Sequence, residues 1–97
     1  MDSILITGAN GFIGSHLTEF LLEKNVNIFA VDIPSTQFSR LSDYLEGAKG
    51  KETDLVSFAG QAIRVPSNRD QLKLLKCDIN NKSLLEKIIL ESQPKYI

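Results

Sequence analysis

Three glycines, Gly8, Gly11 and Gly14, spaced G-x-x-G-x-x-G, divide the stretch from Ser3 to Leu17 into two apolar patterns of different period. Before them, Ile4-Leu5-Ile6 is a continuous apolar run with β-branched residues, the pattern of a parallel strand covered on both faces. After them, Ile13, Leu17, Phe20 and Leu21 recur at i, i+4, i+7 and i+8, which predicts an amphipathic helix with that stripe toward the core. The first N–H groups of such a helix have no internal partner, and the aligned peptide dipoles leave about half a positive charge at the turn. That end of a helix suits a pyrophosphate, so the stretch points to a dinucleotide. Gly8 is expected to allow the tight turn, Gly11 to let the backbone approach the phosphates, and Gly14 to let the helix pack closely on the strand. The spacing departs from the common G-x-G-x-x-G in one respect: the first glycine lies one residue further upstream, which lengthens the loop by one.

Ile28, Phe29, Ala30 and Val31 predict a second buried strand ending at Asp32, 18 residues past Gly14. In a βαβ unit a carboxylate about 20 residues past the glycine turn accepts the ribose hydroxyls of the adenosine half. The competing reading is that Asp32 turns the chain ahead of Pro34. A carboxylate there repels the 2′-phosphate of NADP, which favours NAD as the cofactor. Arg40, the nearest basic residue, reads as solvated on a helix over Gln37 to Gly47 with Phe38, Leu41 and Leu45 on one face.

The connecting residues divide unevenly. Lys24-Asn25 is placed to close the first helix, Asn tolerating a left-handed cap. Residues 48–72 read mainly as a loop insertion, although Leu55 to Ala59 and Ala62 to Val65 are spaced for a hairpin across Gly60-Gln61. Leu72 to Cys77 predicts a third parallel strand. A helix follows, capped by Asn81, striped by Leu84, Leu85, Ile88 and Ile89, and stopped by Pro94, and Lys95-Tyr96-Ile97 reads as the opening of a fourth strand. Cys77 reads as a small buried apolar group and His16 as packed or solvated.

The text from Thr7 to Leu17, Thr-Gly-Ala-Asn-Gly-Phe-Ile-Gly-Ser-His-Leu, resembles the cofactor signature of the short-chain dehydrogenase/reductase superfamily, in its extended NAD-dependent epimerase/dehydratase branch. The resemblance implies that the backbone of Gly8, Asn10, Gly11, Phe12, Ile13 and Gly14 binds the cofactor pyrophosphate. It also implies that Asp78-Ile79, an Asp and an aliphatic residue closing the third strand, contact the adenine; ordinary helix-initiating polarity is the other account of Asp78. The family moves protons with a Tyr-x-x-x-Lys pair. Tyr44 is followed four places on by Ala48 and Tyr96 by Ile97 alone, so no catalytic residue is assigned and this chain is expected to bind rather than catalyse. The implied parent is an enzyme acting on a nucleotide sugar as a homo-oligomer, a dimer by expectation. The alternative is a non-enzymatic dinucleotide module used for sensing or assembly.

Size and composition set outer bounds. Ninety-seven residues make one small domain or part of one, and 42% hydrophobic with 24% charged residues is ordinary for a globular chain. A net charge of −1 gives no footprint for nucleic acid or an anionic membrane. A single cysteine fits a reducing compartment, so a cytoplasmic setting is expected, and one His with one Cys gives no metal site. The fold class expected is a Rossmann-like three-layer α/β domain with a parallel sheet ordered third-second-first strand and the fourth-strand stub beside the first. It is expected to be truncated after the third βα unit, residues 1–97 forming the N-terminal portion of a dinucleotide-binding domain. An apolar first strand with so short a neighbour is expected to leave the chain marginally stable, self-associating and weak in NAD binding.

Overall fold

The structure, a computed structural model, describes residues 2–34, 38–44, 53–66 and 71–97. Strand β1 (Asp2–Thr7) leads through the glycine turn into helix α1 (Phe12–Leu22), and strand β2 (Val26–Asp32) returns parallel to β1. A 3₁₀ turn (Ser39–Tyr44) follows, then β3 (Thr53–Phe58), β4 (Gln61–Pro66), β5 (Leu72–Lys76) and helix α2 (Lys82–Ser92). The sheet is ordered β1-β2-β5-β4-β3. Its three parallel strands therefore stand in the expected third-second-first order, with β5 as the third. Tyr96 forms a parallel bridge to Ile4, and the Tyr96 carbonyl accepts from Leu5 N at 2.9 Å, so the chain re-enters the sheet beside β1.

Alternation along the strands builds the three layers. Ile4, Ile6, Ile28, Ala30, Leu72 and Leu74 face one way and pack with Leu22, Phe38 and Leu41. Leu5, Phe29, Val31, Leu75 and Cys77 face the other way, where Ile63, Val65 and Ile88 complete a second core. Side chains on opposite faces of every central strand are buried, which is why these strands read as unbroken apolar runs.

Four local expectations are corrected. First, the stripe Ile13, Leu17 and Phe20 faces solvent, Ile13 being 79% exposed, and α1 buries Ser15, Thr18 and Leu22 instead. Gly14 sits against the backbone of the glycine turn, and on the buried face beside it the hydroxyls of Ser15 and Thr18 bond back to Phe12 O and Gly14 O at 3.2 and 2.7 Å. Second, α1 stops at Leu22 with Glu23 as a right-handed cap, so no left-handed Asn25 is needed. Third, the helix expected over 37–47 is a 3₁₀ turn. Phe38 at φ 51° cannot begin a helix and Leu41 kinks the segment, while Gln37 and residues 45–47 lie outside the described residues. Fourth, within the span read mainly as loop, 53–66 forms a regular hairpin added antiparallel to β5. Phe58 pairs with Gln61, so the turn is Ala59-Gly60, one residue earlier than the spacing suggested; both turn residues have positive φ (50° and 78°), as a type I′ turn requires. A carboxylate oxygen of Glu91 accepts Ala59 N at 2.6 Å and ties this turn to α2.

Candidate dinucleotide site

The site is assembled at the carboxyl ends of β1, β2 and β5. Gly8 adopts φ 66°, its carbonyl accepts Gly11 N at 2.9 Å, and Ala9 N reaches across to Val31 O at 3.0 Å, which fastens the turn to β2. A Cβ on Gly14 would lie 2.2 Å from Gly8 O and one on Gly11 3.1 Å from the same atom. Gly14 thus packs against the backbone of the turn itself. The N-cap Gly11 offers no side chain, and among the described residues nothing accepts from the amides of Phe12, Ile13 and Gly14. No acidic residue stands in the first turn of α1, so three amides and the positive end of the helix dipole are presented together.

Asp32 stands at the end of β2. One carboxylate oxygen accepts Asn10 N at 2.7 Å and the other accepts Ile33 N at 2.7 Å, so the group is aimed by two backbone donors from different segments. Each oxygen retains a lone pair for a further donor. The Asn10 side-chain carbonyl accepts Arg40 N at 2.9 Å and so draws the 3₁₀ turn onto the glycine turn. Arg40 is exposed, as expected, yet its guanidinium stands 5.7 Å over the ring of Phe12.

Thr7, Gly8, Val31, Asp32, Ile33, Cys77 and Ile79 line a crevice of about 240 Å³ beside the turn. Ile79 forms part of this wall. Asp78 does not: its side chain accepts Asn80 N at 2.9 Å and holds the turn before α2, whose N-cap Asn81 accepts Leu84 N at 3.3 Å. Burial, with the charge of Asp78 added, pushes the Cys77 thiol up, so Cys77 serves as an apolar wall. His16 is exposed, its Nδ1 2.7 Å from Phe12 O and its ring 4.8 Å from that of Phe12, outside the crevice.

The structure therefore brings Gly8, Asn10, Gly11, Phe12, Ile13, Gly14, Asp32 and Ile79 to one end of the sheet, while the Asp78 side chain is engaged by Asn80 N. The Asn10 amide, expected at the pyrophosphate, donates to Asp32. Val31, Ile33 and Cys77 also line the crevice although each reads as core or turn in the sequence; their position at the strand ends is the signal for them. A model of the NAD dependent epimerase/dehydratase family matches residues 4–97.

Proposed function

Because this chain belongs to the NAD dependent epimerase/dehydratase family, we propose that the glycine turn and Asp32 together hold NAD for a nucleotide-sugar epimerase or dehydratase. The observation that carries the reading is the pairing of three amides, at Phe12, Ile13 and Gly14, that have no acceptor among the described residues with a carboxylate held in place by Asn10 N. The residues fit the cofactor: the turn leaves no room for a Cβ at Gly14, and its open side is the positive end of a helix.

In this reading the amides of Phe12, Ile13 and Gly14 bind the pyrophosphate, and Gly8 and Gly11 keep that surface bare. The free lone pairs of Asp32 accept the two ribose hydroxyls of the adenosine half. Asn10 positions Asp32 and does not contact phosphate. Val31, Cys77 and Ile79 supply an apolar wall for the adenine. Bound there, the nicotinamide supplies hydride transfer. NAD is favoured over NADP because the carboxylate meets the 2′ position.

The family supplies the nucleotide-sugar substrate in this proposal, and a dimeric, cytoplasmic setting is proposed with it. No helix among the described residues is long and apolar enough to cross a membrane. Titration of the protein with NAD tests the reading: saturable binding is expected, and its absence at millimolar cofactor would contradict it.

A further inference from the structure

The added hairpin does more than widen the sheet. Arg64 of β4 lies opposite Leu74 of β5 in an antiparallel pair, which sets Lys76 opposite the small Ala62 and diagonal to Arg64. Diagonal neighbours in such a pair stand about 7–8 Å apart, within reach of one shared ligand for two long cationic side chains. Ile63 and Val65 fill the second core, so Arg64 emerges on the opposite face, the face of Leu74 and Phe38. There Phe38, Gln61, Ala62, Arg64, Leu74 and Lys76 enclose a cavity of about 230 Å³. Its size is that of several waters at about 30 Å³ each. Its floor is apolar and its two charged groups are both cations. Among the described residues neither Arg64 nor Lys76 has an ion-pair partner. In register, Lys76 neighbours Asp32, the proposed ribose ligand.

We propose that Arg64 and Lys76 form an anion pocket for a phosphate monoester. The guanidinium offers a planar fork to two phosphate oxygens and the ammonium a point charge to a third. An apolar floor under two unpaired cations raises the worth of each contact by keeping water from one side. The ligand is a separate phosphorylated molecule seated one strand further along the sheet, since the Asp32 carboxylate disfavours a 2′-phosphate on a ribose held there. The inference goes beyond the dinucleotide reading, since the pocket lies outside the glycine turn and uses none of its residues.

Inorganic phosphate, NAD and NADP are titrated separately into the ¹⁵N-labelled protein and into Arg64→Gln, Arg64→Lys and Lys76→Gln variants. Phosphate is expected to saturate with amide shifts centred on Ala62–Arg64 and Leu74–Lys76. Each glutamine variant is expected to weaken it about tenfold, as for loss of one charge-assisted contact, and Arg64→Lys to recover part of the loss. If NADP weakens in the glutamine variants while NAD does not, the pocket serves the 2′-phosphate of the dinucleotide, and both the separate ligand and the preference for NAD are overturned. If only inorganic phosphate weakens, the ligand is separate. Lys76 is exposed, so Lys76→Gln carries the test should Arg64→Gln fail to fold. The proposal is overturned if neither phosphate nor NADP distinguishes the protein from both glutamine variants. Phosphate binding without NAD binding would refute the dinucleotide reading and leave this one standing.

Discussion

The amide of Asn10 donates to the carboxylate of Asp32 at 2.7 Å across 22 residues of sequence, joining the glycine turn to the end of β2. With Ala9 N on Val31 O at 3.0 Å, it makes the turn and the strand end one unit, so the proposed phosphate donors and ribose acceptor are set relative to each other before any ligand arrives. Such preorganisation lowers the ordering cost of binding. The Asn10 side chain extends the unit to Arg40 through a 2.9 Å bond.

Gly14 is the least replaceable residue of the turn. The Cβ of an alanine would meet the Gly8 carbonyl oxygen at 2.2 Å and Ala9 Cα at 3.0 Å, both backbone atoms. Gly14→Ala is expected to destabilise the protein by about 1–3 kcal/mol, the usual range for overpacking, and to weaken NAD binding as α1 is pushed from the turn. Urea denaturation followed by circular dichroism measures the first effect. An unchanged midpoint would show that the turn relaxes freely.

Cys77 predicts an alkaline loss of stability. Its folded-state pKa is raised, first by burial and then by Asp78, so the native state holds the thiol proton more tightly than the unfolded chain does. The resulting stabilisation is fully present below the unfolded pKa of about 8.5 and is lost as pH rises through the folded value. Denaturation midpoints from pH 7 to 10 should fall more steeply for the protein than for Cys77→Ala. Parallel curves would show that the thiol does not titrate with folding.

Much of this was legible because it is local. The glycine spacing, Asp32 at a strand end, the cap at Asn81 and the stripe through Leu84, Leu85, Ile88 and Ile89 each depend on neighbours within one element. The inner face of α1 was not legible, since it buries Ser15 and Thr18, whose hydroxyls are satisfied by helix carbonyls, where a hydrophobic pattern selects Ile13 and Leu17. The hairpin turn was misplaced by one residue because Ala59, a side-chain-bearing residue, takes a left-handed conformation under the hold of Glu91. The Asn10–Asp32 bond uses a backbone donor, which no side-chain pattern reports. Arg64 and Lys76 meet only through strand register.

The outer edge of β1 predicts self-association. Ser3 O accepts Lys95 N at 2.7 Å and Tyr96 O accepts Leu5 N at 2.9 Å; beside these bonds Ile4, Ile6, Leu17, Tyr96 and Ile97 line an apolar cavity of about 330 Å³. A strand edge bonded over so short a span, with an apolar flank, is a template for a second chain. Sedimentation of the Met1–Ile97 polypeptide should give a mass that rises with concentration, and Leu17→Glu should reduce the rise. A monodisperse monomer at all concentrations would contradict it.

The most direct test of the proposed function is calorimetric titration of NAD and NADP into the protein and into Asp32→Ala. The protein is expected to bind NAD more tightly than NADP. Removing the carboxylate is expected to weaken NAD by about 1.5–3 kcal/mol, the range for a hydrogen bond to a charged group, or roughly tenfold to a hundredfold in affinity. NADP bound more tightly than NAD by the unmutated protein, or NAD bound equally well by Asp32→Ala, would contradict the assignment of Asp32 to the ribose.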